Sequence, residues 1–147
     1  MKFIDGGICA AKGFKANGIH CGIRKNKSKK DLAAYVCEVR CTAASMHTQN
    51  LVKGAPNRVT AENLSDGYAR AMICNSGIAN TCAADGVEKA QKMCQLTADE
   101  LVAKGIDIKE EEVTTFSGET KKLHVLYADQ IIWKENKKRI EFSIVLF

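Results

Sequence analysis

Ala69-Arg70-Ala71-Met72-Ile73-Cys74-Asn75-Ser76-Gly77 reads as a buried strand running into a tight turn. Met72, Ile73 and Cys74 give the apolar run, and Asn75-Ser76-Gly77 has the residue types that bend a chain. A helix is predicted from about Gly86 to Lys104. Val87, Ala90, Cys94, Ala98, Leu101 and Val102 recur there at three- and four-residue steps, which draws an apolar stripe down one face. Asp85 is placed to cap the start and Gly105 to end it. Val113–Phe116 reads as a strand leading to Ser117-Gly118. Together these elements read as an α/β domain in which the helix stripe packs on a sheet containing residues 69–74.

Upstream, Lys12 to Gly22 carries three glycines, which points to a tight backbone path and not a helix. Ile19–Arg24 is predicted as a short strand and Leu32–Val39 as a longer one, with Tyr35, Val36 and Val39 supplying β-propensity. Cys41–Thr48 fits either a strand or a short helix. Asn57–Val59 reads as extended after Pro56, and Thr60 as the N-cap of a brief helix through Leu64, stopped by Asp66-Gly67. Downstream, Ile131–Trp133 and Ile140–Phe147 flank a charged turn and suggest a β-hairpin. Its final run, Ile144-Val145-Leu146-Phe147, needs a partner surface.

The chain has 147 residues, one ordinary domain or part of a larger protein, and its hydrophobic fraction of 46% supports a packed core. The net charge of +5 is local: Arg24, Lys25, Lys27, Lys29 and Lys30 fall within seven residues. No aromatic side chain interleaves with them, so a stacking platform for nucleic-acid bases is not indicated. A solvated loop is the plainer reading. No stretch approaches the roughly 20 apolar residues of a membrane helix. Seven cysteines, Cys9, Cys21, Cys37, Cys41, Cys74, Cys82 and Cys94, include no Cys-x-x-Cys pair. The odd count, without a secretory signal, favours reduced thiols in a cytoplasmic protein and no metal site. His20, His47 and His124 are scattered, without an acidic or cysteine partner at telling spacing. Glu110-Glu111-Glu112 reads as a solvated acidic loop.

Several segments together carry a family resemblance. They are Gly13-Phe14-Lys15-Ala16-Asn17-Gly18-Ile19-His20-Cys21-Gly22-Ile23, Lys30-Asp31-Leu32-Ala33, Thr48-Gln49-Asn50, Ala55-Pro56 and Asn75-Ser76-Gly77-Ile78-Ala79-Asn80. In this combination the chain resembles the N-terminal part of the ornithine acetyltransferase family over roughly residues 10–118. The resemblance implies the N-terminal half of an α/β (α+β sandwich) fold, with sheets sandwiched between helices. It implies acetyl transfer from N-acetylornithine to glutamate in arginine biosynthesis, with acetyl-coenzyme A as a further substrate of some complete members and no bound cofactor.

In that family a precursor cuts itself before a threonine in a Lys-Gly-Ala-Thr segment. The exposed α-amino group and hydroxyl then act as base and nucleophile. An oxyanion is stabilised at a Ser-Thr-Gly-Val-Ile-Gly turn after a strand. The matching place here reads Phe116-Ser117-Gly118-Glu119-Thr120. Ser117 keeps a hydroxyl at the threonine position and Gly118 keeps a closely approachable N–H, so these two are the expected oxyanion donors; the alternative is a plain turn. Glu119 is electrostatically unfavourable beside an oxyanion. The sequence contains no Lys-Gly-Ala-Thr segment.

The expectation is therefore a family-like region at 1–118 and a divergent tail at 119–147. Such a chain is catalytically incomplete alone and is completed by a complementary C-terminal chain. The alternative is a non-catalytic, truncated remnant or interaction protein that pairs with such a chain. A basic nucleic-acid-binding module is a third reading resting on charge alone.

Overall fold

The apolar run at 69–74 lies inside the third strand of a four-stranded sheet. In the computed structural model, residues 5–117 are described. Gly118, His124 and the hairpin expected within 131–147 lie outside them. The elements are β1 (Phe14–Ile19), β2 (Leu32–Thr42), α1 (Ala55–Asn63), β3 (Tyr68–Asn75), α2 (Gly86–Ala103) and β4 (Val113–Ser117). Strands follow the order β1-β2-β3-β4. The first two pairings are antiparallel, while β3 and β4 are parallel. Parallel neighbours need a long crossover, and α2 is that crossover.

Side chains alternate across the sheet. Ala71 and Ile73 of β3 and Val113 of β4 share one core with Val59 of α1, Ala90, Cys94 and Ala98 of α2, and Ile108. Three small residues at four-residue steps let α2 sit close on the sheet and α1. Val87 and Leu101 pack on the margin of this core, whereas Val102, expected in the stripe, is 52% exposed. A four-residue ridge turns slowly about a helix, so Val102 lies just past its edge.

Three segments differ from their sequence reading. Helix α1 begins at Ala55, so residues 57–59 are helical and Thr60 is internal. Pro56 explains this: at the first turn its missing N–H has no intrahelical partner to lose, and its fixed φ suits a helix. Thr60 Oγ1 instead donates to the Thr115 carbonyl at 2.6 Å and accepts the Thr115 N–H at 3.2 Å. Asn63 Nδ2 donates to the Val113 carbonyl at 2.7 Å. Hence α1 runs antiparallel to β4 and satisfies backbone groups that a bare edge would leave open. The strand predicted at 19–24 is placed earlier, at 14–19, because the backbone beyond Ile19 turns to serve a carboxylate. Residues 41–48 form no helix: β2 continues to Thr42, and Ala43 donates to the Gly67 carbonyl at 2.8 Å.

That carboxylate is Asp31, whose side chain is fully buried. It accepts the N–H of Cys21 at 2.7 Å and of Arg24 at 2.9 Å, and His20 Nδ1 lies 2.9 Å away. The Asp31 carbonyl accepts the Ser76 N–H at 2.9 Å. One residue thus ties the end of β1, the 20–31 loop and the turn after β3. Burial alone would raise the Asp31 pKa; the Arg24 and Cys21 N–H groups, with His20, outweigh it and hold the carboxyl well below the usual range.

Two outcomes follow from this packing. Thr60→Val keeps the shape but leaves buried N–H and C=O groups of Thr115 unpaired, so urea unfolding should show a loss of about 1–3 kcal/mol, with Thr60→Ser closer to wild type. The Asp31 contribution is present above the unfolded carboxyl pKa of about 3.9 and fades as pH falls toward the depressed folded value. Asp31→Asn should therefore lower the urea midpoint at pH 7, and the gap from wild type should narrow progressively below about pH 4. A gap independent of pH would show that the carboxylate charge is not what fastens the loop.

Candidate functional site

Parallel strands β3 and β4 finish at the same end of the sheet, and their last residues are paired: Asn75 lies opposite Ser117. The turn after β3 and the end of β4, far apart in sequence, are therefore neighbours. Gly77 makes the turn possible. Its φ is +106°, and a Cβ there would come within 2.8 Å of Arg24 Cγ. Arg24 Nη2 donates to Ser76 Oγ at 2.5 Å, which clamps the turn to the 20–31 loop.

Asn75 is 7% exposed, and among the described residues its Oδ1 has no hydrogen-bond partner. Strand alternation puts it on the same face as Ile73 and Ala71, toward the helices. A buried acceptor left open costs free energy until a donor arrives. Both helix N-termini point to this end. Helix α1 runs against β4, which sets its first residues near Ser117. Gly86, which opens α2, abuts Ala55: a Cβ on Gly86 would lie 2.9 Å from Ala55 Cβ. The positive ends of two helix dipoles thus face the region where β3 and β4 end, an environment that favours negative charge.

Of the residues singled out from sequence, Ser117 and the 75–80 turn are brought together; Gly118 lies outside the described residues. Sequence reasoning missed two histidine partnerships. His20 does have an acid, Asp31, and its Nδ1 also reaches the Lys29 carbonyl at 3.2 Å. Both partners are acceptors, so Nδ1 carries the proton. His47 Nε2 lies 2.6 Å from Ser45 Oγ. Burial lowers the His47 pKa, Lys53 lowers it further, and Asn57 opposes them. The spacing of eleven between His20 and Asp31 has no secondary-structure period, so only the loop's closure could reveal the pair.

The cysteines are all free. Burial pushes the Cys41 and Cys74 thiols up to about 11 and Cys94 up to about 12. Such thiols carry almost no thiolate at neutral pH and are poor nucleophiles. Among the described residues no cluster of His, Cys, Asp or Glu is placed to hold a metal ion. A cleft of about 420 Å³ lies at the opposite end of α1, lined by Glu62, Asn63, Asp66, Gln91, Glu110 and Glu111. It takes in part of the acidic run that reads as a solvated loop and is remote from Ser117. Among the described residues no helix is long and apolar enough to cross a membrane.

Comparison with known proteins agrees with this arrangement of sheet and helices. The ArgJ family profile matches residues 15–120. The arginine biosynthesis bifunctional protein ArgJ of Halalkalibacterium halodurans is 43% identical over 101 residues, covering 67% of this chain and 24% of that protein. Its counterpart in Caldanaerobacter subterraneus subsp. tengcongensis is 38% identical over 118 residues, covering 80% of this chain and 28% of that protein. Among solved structures, ArgJ from Bacillus halodurans superposes with a TM-score of 0.69 at 40% identity, over 77% of this chain and 56% of that one. Ornithine acetyltransferase from Mycobacterium tuberculosis, crystallised with ornithine, gives 0.71 at 31% identity, over 80% of this chain and 62% of that one. The chain spans about a quarter of the length of these curated relatives. With the profile matched over most of its length and the fold shared, the chain belongs to the ArgJ family.

Proposed function

We infer that this chain supplies the oxyanion side of an acetyl-transfer site that moves an acetyl group from N-acetylornithine to glutamate in arginine biosynthesis, in the cytoplasm. The observation that carries the reading is the register of β3 and β4, which sets Ser117 opposite Asn75, whose buried Oδ1 has no partner among the described residues. An N-acetyl amide presents one N–H donor and one carbonyl acceptor. Asn75 Oδ1 is an acceptor that the amide N–H would satisfy. The Ser117 hydroxyl, with the Gly118 N–H, would donate to the carbonyl oxygen as it gains negative charge. The helix N-termini favour that charge further.

The nucleophile comes from elsewhere. These 147 residues contain no Lys-Gly-Ala-Thr segment, so in this reading the threonine is supplied by sequence outside them. Its hydroxyl attacks the acetyl carbonyl and its α-amino group takes the proton. The tetrahedral intermediate then expels ornithine's amine, which leaves with a proton. The amine of glutamate attacks the resulting ester and regenerates the hydroxyl. Acetyl-coenzyme A is the alternative donor. The second reading, a non-catalytic partner subunit, is favoured by Glu119, which follows the proposed donors and opposes an oxyanion.

The chain alone should release no ornithine from N-acetylornithine and glutamate above a protein-free blank, and mass spectrometry should find it uncut. Mixed with a polypeptide that begins at the threonine of a relative's Lys-Gly-Ala-Thr segment, it should turn over. In that mixture Ser117→Ala should lower kcat by about 10²-fold, the effect of losing one oxyanion donor. Asn75→Ala should raise the KM for N-acetylornithine. A mixture that assembles but never turns over would favour the non-catalytic reading.

A further inference from the structure

The β1–β2 connection carries a charge density that no ion pair among the described residues compensates. Lys25, Lys27, Lys29 and Lys30 are all exposed. Among the described residues, the ion pairs are Lys15–Glu38, His20–Asp31, Arg40 with Asp66 and Glu112, Lys89–Asp85 and Lys104–Glu100, so none of these four lysines is paired. The one acid inside the segment, Asp31, is buried and occupied by backbone N–H groups and His20. Like charges within a Debye length of about 8 Å repel, and the chain bears that cost unless an anion relieves it.

The backbone of the loop is ordered, and the Lys30 stem lies over Gly18 of β1. Asn26 Oδ1 accepts the Ser28 N–H at 3.0 Å and the Ser28 hydroxyl at 2.7 Å, and Lys29 N–H reaches the Asn26 carbonyl at 3.2 Å. His20, Asp31 and the Arg24–Ser76 bond fix the remainder. A loop ordered beforehand loses less entropy on binding. Its position adds to its charge: pairing of Ile19 with Leu32, and of Leu32 with Asn75, puts it at the sheet end to which both helix dipoles present their positive poles. Nearby Asp85 is already paired with Lys89 at 2.6 Å, which leaves Glu88 as the free acid at the start of α2.

We propose that the 24–31 loop, together with the Ser76-Gly77 turn it grips, is a binding site for an oligophosphate, free or borne on a small molecule such as a nucleoside diphosphate. Four ammonium groups in six residues match the dense charge of adjoining phosphates, which Lys meets as a point charge. An acidic protein segment fits less well. Residues 24–30 include no apolar or aromatic side chain, and the exposed hydrophobics that flank the loop and turn, Ile19 and Ile78, are aliphatic and not the aromatic anchors that dominate protein interfaces. The same lack leaves nothing on which nucleic-acid bases would stack. The proposal is independent of acetyl transfer, because binding is read without turnover.

The test is a titration of the ¹⁵N-labelled 147-residue chain with sodium tripolyphosphate and, separately, with ADP at low salt. Amide shifts should concentrate at residues 24–31 and 76–77 and should weaken as salt rises. Replacing Lys25, Lys27, Lys29 and Lys30 together by Ala should weaken binding at least about tenfold while the circular dichroism stays unchanged. Replacing all four by Arg should preserve it. Binding of tripolyphosphate but not ADP would identify a free oligophosphate as the ligand, and binding of both a phosphate-bearing small molecule. Absence of loop shifts at millimolar ligand, binding indifferent to the Ala replacements, or an octaglutamate peptide binding as tightly as tripolyphosphate would each overturn the proposal.

Discussion

The in-register parallel pairing of β3 and β4 is the constraint on which the rest of this structure depends. Two strands that run the same way cannot be joined by a tight turn, so the chain must cross from one end of the sheet to the other. Helix α2 makes that crossing, and the small residues Ala90, Cys94 and Ala98 let it lie close to Ala71, Ile73 and Val113. Parallel pairing also makes two strands finish together. Asn75 and Ser117 meet for that reason alone. The two helices then cover one face and present their N-termini at the end where the strands stop.

Among the described residues this end of the sheet carries mostly positive charge, with Glu88 as the unpaired acid at the start of α2. The helix termini contribute partial positive charge, the 20–31 loop contributes full charges, and the one central carboxylate is buried beneath its own hydrogen bonds. Asp31 is well suited to that task. An exposed acid would neutralise the lysines above it. Buried, and held ionised by two backbone N–H groups and His20, it organises the loop while most of its charge is absorbed locally. The same residue reaches the turn at Ser76 through its carbonyl, so the loop and the β3 turn are fastened as one unit. Gly77 is the complement of that fastening, since any side chain there would collide with Arg24.

Legibility in the sequence followed the range of the interactions involved. Strand β3, helix α2 and strand β4 were readable to within a residue or two because each announces itself through local apolar periodicity and flanking turn residues. Helix α1 was misplaced. Its internal Thr60 resembles a cap, and its true start is set by Pro56 together with burial of Gly54 and Ala55. Nothing in residues 55–63 reveals that the Thr60 hydroxyl bonds to a strand 55 positions away. The short strand was placed five residues late for a like reason, since the backbone after Ile19 is claimed by Asp31. The family segments pointed to Ser117 and the 75–80 turn sharing one side of the domain, and the strand register adds which residues pair there, Asn75 with Ser117.

The sequence by itself determined the elements with a strong period, the absence of any paired cysteine motif, the concentration of basic charge at 24–30 and the family to which the chain is similar. These are properties of neighbours along the chain, where spacing and composition act directly. Only the tertiary structure decided the register that pairs Asn75 with Ser117, that the buried Asn75 carboxamide oxygen finds no donor among the described residues, that His20 has an acid, and that the lysine loop shares an end with two helix N-termini. Each of those depends on strand register and helix direction, which are fixed by long-range packing and by the satisfaction of buried polar groups.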